Sequence, residues 1–305
     1  MLRTTHTSSV TEDQIDHLGH MNVRFYAVNA NAGTRAVLAE LPGWEGRPHW
    51  VHDIYTRHYR EQLLGTDLVL RSAILGADEH DLRIHHELAA AGTDVLAATF
   101  VHRLSPLDDQ GRPAPMPPAA VEAALAQADP APEHHGTRTI SLDCDLMAAT
   151  PTLETVLERG LAMRKPRAVS ADECDAEGRY RIEMVPALTW GGEPFEGDVG
   201  DALFETSEGR VMGWASMETR VQIGRLPRRG DRIQSFGATV ALHDKVTHRV
   251  HWAYDLDRGD LLTAFESVSM AFDIHARRPI SIPERYRERE LGRIQTDLAP
   301  QAIAG

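Results

Sequence analysis

Two stretches of this 305-residue chain echo one another 159 positions apart. Val10-Thr-Glu-Asp-Gln-Ile-Asp16-His-Leu-Gly19-His20 lies over Val169-Ser-Ala-Asp-Glu-Cys-Asp175-Ala-Glu-Gly178-Arg179. The echo returns downstream. Gly65-Thr-Asp67 answers Arg229-Gly-Asp231, and Thr93-Asp-Val-Leu96 answers Gly259-Asp-Leu-Leu262. Between Asp67 and Asp231 the offset is 164, so a short insertion separates the two blocks in the second copy. Solenoid units recur every ~20–50 residues, far less than this, so the pattern implies a duplicated domain. The chain is long enough for two domains.

Each copy must then fold in about 100 residues, and the first copy is the easier to read. From Asn22 to Leu41 there is no Pro, and Ala recurs as a buried helix requires. Pro42-Gly43 ends that helix. Residues 51–62 read as a strand, and Leu64-Gly-Thr-Asp67 as a turn. Leu68–Leu75, Leu82–Ala90 and Val95–Leu104 are further strand-like runs separated by Gly or acidic residues. One long helix followed by four antiparallel strands is the expected order.

The entry to the helix holds the chemistry. Asp16, His20 and Asn22 put a carboxylate, an imidazole and a carboxamide within seven residues. They can accept a proton, donate one, and hold a carbonyl or a water. A helix start adds free N–H groups and the positive end of the macrodipole. That suits attack on an acyl group, where negative charge develops on oxygen. Asp16 and Asn22 also fit plain helix capping, and His20 a buried hydrogen bond.

The pattern Asp16-x-x-Gly19-His20-Met21-Asn22-x-x-x-Tyr26 resembles the signature of the hotdog-fold thioesterases of the 4-hydroxybenzoyl-CoA thioesterase-like group. The plant acyl-carrier-protein thioesterases carry a related Asp, His and Asn constellation. The resemblance covers about residues 1–105. It implies an α+β double hotdog, each half a long central helix wrapped by an antiparallel sheet. It also implies an enzyme that hydrolyses an acyl-CoA or acyl-carrier-protein thioester. Asp16 would be general base or nucleophile, His20 would orient Asp16 or share its proton, and Asn22 would position the water. Backbone N–H groups at Gly19 and Met21 would hold the thioester oxygen. CoA or phosphopantetheine would enter as part of the substrate, with no separate cofactor. The runner-up reading is a non-hydrolytic acyl-binding or dehydratase-like hotdog protein.

The second copy is degenerate. His20 is answered by Arg179 and Asn22 by Arg181, and Asp175 remains alone. It reads as a structural partner, with Asp175 a turn or capping residue. Residues 1–105 form the first hotdog, 106–136 a Pro/Ala-rich linker with a short helix at Ala119–Ala128, and 137–305 the second hotdog. The last also carries an added helical segment at Thr150–Arg164 and a C-terminal tail. One chain then supplies a pair of hotdogs, and a further homodimer is allowed but not required.

The charge narrows the partners. With 32 basic and 45 acidic residues the net charge is −13, which argues against a nucleic-acid or anionic-membrane surface. No apolar run is long enough to span a bilayer. Cys144 and Cys174 are too few to staple the fold and suit a reducing cytoplasm. No metal-ligand spacing, Gly-rich phosphate loop or Gly-x-Ser-x-Gly elbow is present. The strand histidines His80, His85, His86, His102, His243, His248 and His251 read as surface or satisfied core residues, and His134-His135 as solvated. Tyr26 reads as core. Trp44 and Trp50 fit either core or an acyl tunnel. Arg24, Arg57 and Arg60 are available for phosphates.

Overall fold

In a computed structural model of the chain, residues 1–300 are described apart from His17, Ala131, Glu133, His134, 196–203 and Ser207. Contacts divide the chain into Met1–Thr137 and Arg138–Gly305.

The first unit is a helix wrapped by an antiparallel sheet. Its elements are β1 (Arg3–Ser9), α1 (Val23–Leu38), β2 (His49–His58), β3 (Asp67–Ala77), β4 (Leu82–Ala90) and β5 (Leu96–Pro106). The strands lie in the order β1-β3-β4-β5-β2, antiparallel throughout. Asn22 caps α1 by accepting the Arg24 N–H at 3.0 Å. The helix buries Tyr26, Ala30, Gly33, Thr34, Val37 and Leu38, a three-to-four-residue spacing that makes one face. Gly33 is where the sheet comes closest. A Cβ there would stand 2.3 Å from Leu70 Cδ2 and 3.1 Å from Thr5 Oγ1. Val10, Met21, Leu68, Leu70, Leu88 and Phe100 complete the core around the entry of α1.

A polar chain crosses that core. Thr5 and Ser72 hydroxyls meet at 2.6 Å, Ser72 meets His86 Nδ1 at 2.7 Å, His86 Nε2 meets Thr34 at 3.0 Å, and Thr34 meets His102 Nδ1 at 2.9 Å. His86 and His102 are thus satisfied core residues. Burial pushes the His102 pKa down to about 3 and that of His86 well below its ordinary value.

The segment read as a linker belongs to the first unit. Met116 N–H donates to Glu79 O, and Asp129 N–H to Ile74 O, both within 2.9 Å. Between them α2 (Pro118–Ala126) buries Ala120 and Ala124 completely. Alanine faces are too small to make a free helix stable, and here they allow close contact with β3. Further on, His135 O and Gly136 O accept from Thr99 Oγ1 and Arg57 Nη1, and His135 Nδ1 meets Glu87 at 2.6 Å. His135 is therefore bound rather than solvated; His134 lies outside the described residues. The boundary expected at 105 falls at 137.

The second unit repeats the strand order. It contains β6 (Arg167–Ala168), β7 (Phe204–Glu205), β8 (Val211–Ile223), β9 (Arg232–Leu242), β10 (Val246–Asp255), β11 (Leu261–Asp273) and β12 (Arg278–Pro279). The path is β8-β11-β10-β9-β6, antiparallel, with β7 on β8 and β12 on β11. It corresponds to β2-β5-β4-β3-β1. The expected long second helix is not found among the described residues. In its place stands α4, Val185–Trp190, six residues stopped by Gly191-Gly192. The helical reading of Thr150–Arg164 shrinks to α3, Leu153–Glu158, because Gly160 turns with φ +65°. A last helix, α5, spans Glu284–Leu291. Among the described residues no helix is long and apolar enough to cross a membrane.

Candidate active site

The motif folds as a tight turn closed on itself. Asp16 N–H donates to His20 O at 2.9 Å, and Gly19 N–H to Asp16 O at 3.0 Å. Gly19 adopts φ +83°, open to a glycine at little cost and strained for other residues. Ile15 and Met21 bridge the neck, and Met21 N–H is anchored to Gln62 O at 2.8 Å. The turn thereby stands at the mouth of α1, against the segment that joins β2 to β3.

Within it, Asp16 and His20 come together. His20 Nδ1 lies 3.3 Å from Asp16 Oδ2, and the two side chains are each 15% exposed. The Leu18 N–H holds Asp16 Oδ1 at 2.8 Å and so fixes the carboxylate. On its other side, His20 Nε2 lies 3.5 Å from Glu61 Oε1. Asn22 uses Oδ1 for the helix cap, and its Nδ2 bonds to no described residue. The capping function of Asn22 is therefore real and leaves the amide N–H₂ for other work. Tyr26 is core, as expected. Its hydroxyl donates to Arg60 O at 3.1 Å, and its ring meets His58 edge-on at 5.3 Å. Burial raises the Tyr26 pKa and pushes that of His58 down to about 4.

The backbone donors need correction. The Gly19 and Met21 N–H groups close the turn and its anchor, so neither is free for a substrate oxygen. His20 and Val23 N–H groups donate to no described residue. Val23, the first helical residue, points its N–H out of the helix end. Arg57, a candidate for phosphates, is held by Gly136 O and stacks on Tyr59. Trp44 is fully buried core.

Glu61 is the residue that sequence reading missed. It lies 41 positions beyond His20 at the end of a strand-like run, and only the Met21–Gln62 pairing brings it to the motif.

The second unit repeats the backbone-to-backbone bonds of this turn. Asp175 N–H donates to Arg179 O at 2.8 Å, Gly178 N–H to Asp175 O at 3.0 Å, and Tyr180 N–H to Pro227 O at 3.1 Å. Gly178 has φ +71°. Here Arg179 Nε closes on Asp175 at 2.8 Å, and its Nη2 reaches Glu177 at 3.1 Å. The Arg179 N–H and guanidinium hold the Asp175 carboxyl below its usual range. The bonds also reset the register. Gly65 and Gly230 both donate to the valine that opens the motif, Val10 and Val169, so the sheets correspond at an offset of 165. The match through Asp67 and Asp231 was one residue out.

Residues 10–125 match the model of the thioesterase-like superfamily. A stretch of 142 residues is 28% identical to the L-carnitine dehydrogenase/betainyl-CoA thioesterase of Agrobacterium fabrum. That match takes in 43% of this chain and only 29% of the relative, so the chain spans less than a third of that protein. The putative oleoyl thioesterase of Lactobacillus plantarum has a similar fold, with a TM-score of 0.64 over 92% of this chain and 97% of that one, at 11% identity. The 12:0-ACP thioesterase of Umbellularia californica gives 0.63 over 88% and 94%, at 9% identity. At such identities the likeness concerns the fold alone, which is hotdog-like.

Proposed function

We propose that the chain hydrolyses an acyl thioester carried on CoA or an acyl-carrier protein, at the turn formed by residues 16–22. The observation that carries this is the pairing of Asp16 with His20 on a fixed turn at the open end of α1. Asp16 takes a proton from water as the hydroxyl attacks the thioester carbon, and the C–S bond then breaks. The thiolate leaves and recovers the proton, giving acid and thiol. The Asn22 N–H₂ positions the water. Val23 N–H, at the positive end of the helix, replaces Gly19 and Met21 as the donor to the developing oxyanion.

The two units are duplicated hotdogs, and the second is catalytically silent. The common strand order and the matched turns support this reading. Its carboxylate is closed off by Arg179, and its helix is too short to carry the same site.

The test is thiol release from a panel of thioesters that includes betainyl-CoA, aliphatic and aromatic acyl-CoAs, and acyl-carrier-protein substrates. Wild-type protein releases thiol, and Asp16→Asn lowers turnover by roughly 100-fold or more. Binding of acyl-CoA without thiol release would assign the chain to the acyl-binding class instead.

A further inference from the structure

The His20 imidazole faces a carboxylate at each nitrogen: Asp16 at Nδ1 and Glu61 at Nε2, 3.3 and 3.5 Å away. Glu61 precedes Gln62, whose carbonyl anchors Met21, so backbone pairing sets Glu61 beside the ring. The second unit offers an internal control. Its matching anchor is Pro227, and the residue before it is Leu226, packed against the apolar cluster of Val169, Cys174, Tyr180 and Leu188. Arg179 stands in place of His20 there and turns to Asp175 and Glu177. Where the imidazole is gone, the second carboxylate is gone with it. The turn and the anchor do not require Glu61, because the second unit forms both without it.

We infer that Glu61 is a positioning residue for the proposed thioesterase: it holds the His20 ring from the side opposite Asp16, so that Nδ1 stays on the Asp16 carboxylate. This rests on the thioesterase reading given above. A ring with a partner at one nitrogen only can turn about its Cβ–Cγ bond, and Asp16 then loses the neighbour that orients it.

The experiment compares Glu61→Gln, His20→Asn and the double variant in thiol-release kinetics. NMR contacts between the His20 ring and the Asp16 turn are recorded on wild type and Glu61→Gln. Glu61 is 42% exposed and Gln is its isostere, so the variant keeps the fold. Glu61→Gln should lower kcat about tenfold with KM nearly unchanged, and should cost nothing further in the His20→Asn background. The contacts of the His20 ring with the Asp16 turn should weaken in Glu61→Gln, because a ring faced from one side only is free to turn about Cβ–Cγ. Unchanged kcat and unchanged ring contacts in Glu61→Gln, with Asp16→Asn inactive, overturn the role of Glu61 and leave the thioesterase reading in place. Equal losses in the wild-type and His20→Asn backgrounds also overturn it. No thiol release from wild type, with the ring contacts still weakened in Glu61→Gln, overturns the thioesterase reading and the catalytic part of this one.

Discussion

Acid should loosen the first unit through His102, and the size of the effect can be worked out. The side chain is 1% exposed, bonded to Thr34, and titrates near 3 in the fold against an ordinary 6.5. Its pKa is depressed, so the neutral ring is the folded form. As pH falls below 6.5 the unfolded chain takes up a proton that the folded one refuses, and stability drops. Between pH 7 and pH 5 this single group removes about 2 kcal/mol; the loss levels off only near pH 3. His102→Asn removes the titration. The variant will be less stable at pH 7, because it loses a buried ring and its bond to Thr34. Its further loss from pH 7 to pH 5 should nevertheless be smaller than that of wild type by about 2 kcal/mol. Urea titrations at pH 7, 6 and 5, followed by amide exchange in β4 and β5, measure this. A variant with the wild-type pH slope would show that the folded protein takes up the His102 proton as readily as the unfolded chain, and refute the reasoning. His58, at about 4, adds to the slope in the same direction.

Two further outcomes are expected. Asp175→Ala should leave thioester turnover within about twofold of wild type, since Arg179 already occupies that carboxylate; a loss matching that of Asp16→Asn in a folded variant would make the second unit a working site. Asn22→Asp keeps an oxygen for the helix cap and removes Nδ2, so it should lower kcat without lowering the melting temperature. Asn22→Ala should lose both kcat and about 1 kcal/mol of stability, read by thermal melts beside kinetics.

The first unit was legible because its signals are local. Pro-free Asn22–Leu41 gave α1 to within three residues, and Leu82–Ala90 matched β4 at both ends. What failed depended on contacts distant in sequence. The Pro/Ala-rich stretch is compositionally a linker, yet Ala120 and Ala124 are buried because β3 accepts a smooth helix. In the second unit the repeat predicted a helix from the position of the motif alone, whereas Gly191-Gly192 decided its length. At the site, Asp16, His20 and Asn22 lie together because seven residues of turn can hold them. The N–H groups of Gly19 and Met21 were misassigned because closing such a turn consumes its own donors. Glu61 carried no signal at all, being brought in by the single backbone bond from Met21 to Gln62.

The way the first unit ends bears on where it can be cut. Residues 10–125, the span matched by the superfamily model, omit β1 and everything after α2. A fragment with those limits would bare the open edge of β3, a ready template for pairing between molecules. It would also lose His135 from Glu87, a carboxylate only 4% exposed that then keeps His85 alone at its oxygen. A buried carboxylate short of one partner and an uncovered strand edge on one small domain favour aggregation. A piece that runs from the N-terminal strand to Thr137 keeps β1 on β3 and His135 on Glu87.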